Sequence, residues 1–163
     1  MSRSVRVIGD NSLDGPLPTE IGALTRLIHL RTDQNSLSGT IPTEMGALTE
    51  MLYMYLSTNS LEGTVPTEMG AMSQVQSLYL SGNSLNGTVP LEMMALTRIE
   101  YMWLDNNNLE GTVPTEMGAL TTLYGVGFNE NNLEGTVPTE LGALPLLGDM
   151  YVPAKGGSQW GRR

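Results

Sequence analysis

A chain of 163 residues with 40% hydrophobic content is long enough to bury a sizeable core. Seventeen acidic against eight basic residues give a net charge of -9 and a pI near 4.4, which argues against nucleic acid and anionic membranes as partners. The absence of cysteine removes disulfides, thiolate metal sites and cysteine nucleophiles, and no apolar run is long enough to span a bilayer.

From the N-terminus, Met1 to Ile8 carries Arg3 and Arg6 but no apolar h-region, so no secretion signal is visible and the compartment stays open. Both arginines occupy offsets that are apolar in later copies, so the first strand is expected to be incomplete and to act as a polar cap. From Asn11 onward the chain repeats. Gly recurs at 15, 39, 63, 87, 111 and 135, and Pro at 18, 42, 66, 90, 114 and 138, a period of 24. An Asn precedes each Gly by four, at 11, 35, 59, 83, 107 and 131.

Apolar residues lead into each Asn: Leu24, Leu27 and Leu30 before Asn35, Met51, Met54 and Leu56 before Asn59, Val75, Leu78 and Leu80 before Asn83. The later copies read Ile99, Met102 and Leu104, then Leu123, Val126 and Phe128. The last two of each set are spaced as on a strand, with both side chains on one side. Leu37, Leu61, Leu85, Leu109 and Leu133, then Ile41, Val65, Val89, Val113 and Val137 before the Pro, and Met45, Met69, Met93, Met117 and Leu141 complete the ring of inward positions. One repeat domain of about six copies is expected over 1–153, with incomplete ends, and a flexible tail over 154–163.

The pattern Leu-x-x-Leu-x-x-Leu-x-Leu-x-x-Asn-x-Leu-x-Gly-x-Ile-Pro, matched from about Asn11 to Leu147, resembles that of plant-type leucine-rich repeats. The resemblance implies an α/β-class, right-handed curved solenoid with a parallel sheet on its concave side and turns or short 3-10 segments on its convex side. It also implies recognition of proteins, peptides or glycans, with ice binding in a minority of related proteins. The Cys-paired caps of secreted plant members have no counterpart in this chain.

Because copies stack at strand spacing, about 4.8 Å, each outward position becomes a column of side chains. The columns flanking the strand core hold His29 and Arg31, Tyr53 and Tyr55, Ser77 and Tyr79, Tyr101 and Trp103, Gly125 and Gly127, Asp149 and Tyr151. Six of the nine aromatic residues lie there. Strand propensity favours such residues, yet aromatic rings massed on a concave face also supply contact area at low entropy cost. Tyr55, Tyr79 and Trp103, with Tyr53 and Tyr101 beside them, are therefore the candidate ligand-binding residues, with Asp33, Asp105, Asn106, Asn107 and Glu130 as a polar rim and Gly125 and Gly127 as a gap in the stripe. The Asn column has a scaffold explanation, since an inward carboxamide can bond the backbone at the corner where strand pairing stops.

Two further columns flank the prolines. Glu20, Glu44, Glu68, Glu92, Glu116 and Glu140 form an acidic ladder on the convex side, which does not converge on one point as calcium requires. Threonines follow the Gly at 40, 64, 88, 112 and 136 and the Pro at 19, 43, 67, 115 and 139, the array expected of an ice-binding surface, although Pro16 and Leu91 interrupt it. The single His29 and the lack of a Gly-x-Ser-x-Gly or phosphate loop point away from catalysis.

The expectation is a non-enzymatic module that binds a protein, peptide or glycan through its concave aromatic face, with no cofactor and no metal. The alternatives are an ice-binding protein using the Thr columns, and a unit that self-associates through its solenoid ends, with Arg3 and Arg6 at the interface.

Overall fold

The computed structural model describes residues 4–152; Arg3 and the expected tail lie outside them. The chain coils as a right-handed solenoid in which every turn contributes one strand to each of two parallel sheets and one 3-10 segment between them. The seven-stranded sheet runs β1 (Ser4–Val7), β3 (Leu27–Arg31), β5 (Tyr53–Tyr55), β7 (Ser77–Tyr79), β9 (Tyr101–Trp103), β11 (Gly125–Gly127) and β13 (Asp149–Tyr151), each strand pairing in parallel with the same segment of the next turn. The six-stranded sheet is built from β2 (Asp14–Pro16), β4 (Ser36–Thr40), β6 (Ser60–Thr64), β8 (Ser84–Gly87), β10 (Asn108–Thr112) and β12 (Asn132–Glu134).

Local chemistry turns the chain at each corner. Gly39, Gly63, Gly87 and Gly111 end the second strand at φ between 70 and 77°, a left-handed conformation that costs a Gly least. Pro then fixes an extended entry; Pro42 has φ -64 and ψ 136, and its carbonyl accepts from Met45 N–H at 3.1 Å to open the 3-10 turn Thr43–Ala47. The turn closes when Leu48 N–H donates to Met45 O. Its Met side chain points inward and is fully buried, as are Met69, Met93 and Met117 in the equivalent turns.

The core is a stack of rungs between the two sheets. Leu61, Leu85 and Leu109 face Met54, Leu78 and Met102 across it, all with no solvent exposure. Burial of each such side chain is worth about 1.5–3 kcal/mol, and the unbranched methionines fill the uneven space at the convex corner.

The first turn departs from the expected register. Leu30 pairs with Met54, so the strand partner of Leu56 is Thr32, and Leu24 corresponds to the buried Leu48. Leu24 is 41% exposed, while Thr32 is buried with an unpartnered hydroxyl. Equal spacing of three leucines disguised the shift. The first strand is also complete, against expectation: β1 forms and pairs with β3 through a bulge, Val5, Val7 and Ile8 are exposed, and Arg6 takes the terminal rung opposite Leu30.

The turns stack closely because Gly22, Gly46, Gly70 and Gly118 lie against the Glu of the next copy; a Cβ on Gly22 would meet the Glu44 carbonyl oxygen at 2.6 Å. In Leu91–Ala95 that Gly is Met94, and this turn stands apart from Thr115–Ala119. A groove of about 410 Å³ opens there, lined by Thr88, Leu91, Pro114 and Thr115 among others.

Candidate functional site

Alternation along the concave strands sends Met54, Leu78 and Met102 into the core and leaves their neighbours on the opposite side, half-exposed except for the buried Ser77. Parallel register then aligns Arg31 with Tyr55, Tyr55 with Tyr79, and Tyr79 with Trp103. The rings of Tyr55 and Tyr79 stand 4.8 Å apart, and Tyr79 and Trp103 stand 6.4 Å apart, both tilted. Such contacts contribute roughly 0.5–1.5 kcal/mol each beyond area burial. Burial, followed by the neighbouring Tyr79, holds the Tyr55 phenol above its ordinary pKa.

The stripe does not stop at the glycines. Trp103 lies across β11, with its six-membered ring directly over Gly127 and its far edge 3.0 Å from where a Cβ on Gly125 would sit. Both glycines are buried beneath it. The expected gap is therefore the floor on which the indole rests, and it lets Trp103 reach across a strand to Tyr151, with ring centroids 5.5 Å apart. Tyr55, Tyr79, Trp103 and Tyr151 make one continuous row.

Tyr53 and Tyr101 belong to separate groups, because Ser77 stands between them in their column and is buried. Tyr53 packs edge-on against His29 at 4.6 Å. Tyr101 stacks with Tyr124 at 6.1 Å and an interplanar angle of 23°. Tyr124 precedes its strand, so the alternation that finds the other rings passes over it.

Beside the aromatic row runs a polar one, two residues further along each copy: Asp33, Ser57, Ser81, Asp105 and Asn129. Ser81 donates to Asp105 Oδ1 at 2.8 Å, Asn106 donates to the other carboxylate oxygen at 3.3 Å, and the Ser57 hydroxyl is buried with no partner. At the other end Arg31 grips Asp33 in a two-pronged contact of 2.9 and 3.3 Å and approaches Asp10 at 3.7 Å. The hydrogen bond to Asp33 and its charge raise the Arg31 pKa. Of the expected rim, Asp33, Asp105, Asn106 and Glu130 lie at the strand exits, but Asn107 is internal at 7% exposure. Its carboxamide holds the backbone, as do those of Asn59 and Asn83.

Tyr79, Trp103, Tyr151, Ser57, Ser81, Asp105 and Asn129 together bound an open recess of about 440 Å³. Among the described residues no group of three metal-ligating side chains gathers, and no helix is long and apolar enough to cross a membrane.

The Thr surfaces differ from each other. Thr40, Thr64, Thr88 and Thr112 stand outward at the ends of the six-stranded sheet, and the methyls of Thr40 and Thr64 lie over Gly63 and Gly87. Glu62 and Glu110 occupy the neighbouring outward position. In the convex column the Thr43, Thr67 and Thr115 hydroxyls donate to the adjacent Glu carboxylates at 3.2–3.4 Å.

Residues 74–96 and 98–120 match the family model of the Leucine Rich Repeat. No curated protein matches. Among solved structures, the plant peptide hormone receptor RGFR1 in complex with RGF2 is 35% identical with a TM-score of 0.87, over 92% of this chain and 24% of that one. The BIR2 ectodomain from Arabidopsis thaliana is 31% identical with a TM-score of 0.71, over 86% of this chain and 70% of its own. A plant ice-binding protein is 30% identical with a TM-score of 0.80, over 86% of this chain and 45% of its own. The chain spans about a quarter of the length of the first receptors it matches.

Proposed function

The chain belongs to the plant-type leucine-rich-repeat family, and on that premise we propose that it is a recognition module whose concave aromatic row is the ligand surface, with no chemistry of its own. One observation carries this reading. Tyr55, Tyr79, Trp103 and Tyr151 form a continuous row of rings in contact, the first three half-buried and therefore pre-ordered, beside a parallel row of hydroxyl, carboxylate and carboxamide groups. Ordered rings meet a partner at little further entropy cost, and the polar row supplies direction. Similarity to a peptide hormone receptor bound to RGF2 supports a peptide or protein ligand.

The test compares partners captured by the wild-type chain and by a Tyr55→Ala, Tyr79→Ala, Trp103→Ala triple variant. All three side chains point away from the core, so circular dichroism should be unchanged. Loss of most captured partner is expected. An unchanged set of partners would reduce the row to sheet stabilisation.

A second reading, ice binding, is supported by the outward Thr40, Thr64, Thr88 and Thr112 column and by similarity to a plant ice-binding protein. It predicts ice-recrystallisation inhibition that disappears in a Thr64→Tyr, Thr88→Tyr variant. The hydrated carboxylates of Glu62 and Glu110 beside that column weigh against it, and wild-type protein without inhibition would remove it.

A further inference from the structure

The recess at the end of the aromatic row has a chemistry more specific than stacking. Three rings, Tyr79, Trp103 and Tyr151, border it, and the Asp105 carboxylate enters it beside the indole: a Cβ on Gly127 would meet both Trp103 and Asp105 Oδ1, the latter at 2.9 Å. Asp105 is fixed by Ser81 and Asn106, which leave lone pairs on its oxygens free to accept more. The remaining walls, from Ser57, Ser81 and Asn129, are uncharged. Among the described residues Asp105 has no cationic partner: the arginines are Arg6, Arg26, Arg31 and Arg98, and the basic side chains on the concave columns, His29 and Arg31, both lie on β3, three strands away.

Arg31 shows what this column accepts. Asp33 occupies in its copy the position that Asp105 occupies in its own, and there the guanidinium of Arg31 lies on the carboxylate next to the Tyr55 ring. At Asp105 the residue in the place of Arg31 is Trp103, so the carboxylate is retained while the cation is exchanged for an aromatic face. Negative ring faces and a carboxylate within one recess favour a positive group over a neutral one of the same shape. The net charge of -9 adds a long-range attraction of the same sign.

We propose that the recess bounded by Tyr79, Trp103, Tyr151 and Asp105 receives a cationic side chain, an arginine guanidinium or lysine ammonium, presented by a peptide or protein partner. The proposal rests on the concave recognition reading and names the group that anchors the ligand. The guanidinium lies against the indole face and turns its N–H groups toward Asp105, with the Ser57 hydroxyl and the Asn129 carboxamide at the edge.

The probes are N-acetyl-arginine amide and its citrulline counterpart, which keeps the shape and loses the charge. Binding is followed by the Trp103 indole N–H resonance, identified by its loss in Trp103→Phe. The wild type is expected to prefer arginine by roughly three- to tenfold, the range set by a partly exposed cation–aromatic contact. In Asp105→Asn, where Ser81 can still donate to the retained oxygen, the preference should fall to about twofold, the share of the rings alone. Equal binding of the two probes, binding of neither, or a preference that Asp105→Asn leaves undiminished overturns the proposal. If the triple aromatic variant loses native partners that Asp105→Asn keeps, the concave face stands as the ligand surface and the cation site falls. If the triple variant keeps them, the broader reading falls too.

Discussion

Replacing Asn107 by alanine is expected to destabilise the protein by about 3 kcal/mol, although the side chain removed is small and polar. Its carboxamide nitrogen donates to the carbonyls of Leu80 and Leu104 at 3.1 Å and of Asp105 at 3.2 Å, while its oxygen accepts the N–H of Leu85 at 3.0 Å. These four groups are not equally exposed to the loss. The Leu80 carbonyl keeps a bond from Asn83, the Leu104 carbonyl one from Asn131, and the Asp105 carbonyl one from Gly82 N–H. Leu85 N–H sits where water does not reach, so the loss of its bond to Asn107 dominates, at about 1–3 kcal/mol, with the remainder from three weakened bonds. The effect should depend on place in the ladder. Asn11 bonds only Ile8 and Gly9 carbonyls and is exposed, so Asn11→Ala should cost less than about 1 kcal/mol. In urea melts, with a slope of about 2 kcal/mol/M, the midpoint should fall by about 1.5 M for Asn107→Ala and barely move for Asn11→Ala. Equal shifts would mean that the ladder acts through local turn geometry alone, without tying neighbouring copies together.

The same ladder shows what can be read from the sequence. Period, sheet positions and most of the core were legible because every copy specifies them again: a Gly for the left-handed corner, a Pro for the extended entry, an Asn for the strand end. A single copy is less secure. Leu24, Leu27 and Leu30 satisfy the apolar rule at spacing three, and only the pairing of Leu30 with Met54 shows that Leu24 belongs to another position. Asn107 had two readings, as scaffold and as rim; its burial leaves the first.

The candidate site was half legible. Alternation identifies Tyr55, Tyr79 and Trp103 as outward neighbours, but the path of the indole over Gly127 to Tyr151 depends on what the next copy lacks, and a column read copy by copy shows that only as a gap. The polar row of Ser57, Ser81, Asp105 and Asn129 carries a different residue type at almost every step. Its signal is positional, a constant offset of two from the aromatic column, and composition hides it.

Gly70→Ala and Gly142→Ala, the same substitution at the same point of two copies, should change stability in opposite directions. At Gly70 the new Cβ would drive into the Glu92 carbonyl oxygen and lie 2.7 Å from its carbon and 2.9 Å from its Cβ. Those are largely backbone atoms of the next turn, so no side-chain rotation relieves the clash. The turns must separate, at a cost of about 2 kcal/mol, within the range for overpacking. At Gly142 nothing among the described residues lies within 4 Å and the backbone is not left-handed, so alanine gains about 0.4–1 kcal/mol by restricting the unfolded chain. Met94 shows that the fold can accommodate such a side chain: where it replaces the Gly, the Leu91–Ala95 and Thr115–Ala119 turns stand apart and the groove at Leu91 opens. Gly70→Ala should therefore remain folded, with unchanged circular dichroism and a lowered midpoint, its damage confined to the convex side. Because the concave row is built on the opposite sheet, the Trp103 indole resonance should stay where it is. A loss of equal size in both variants would show that backbone conformation, and not the approach of neighbouring turns, explains the glycine.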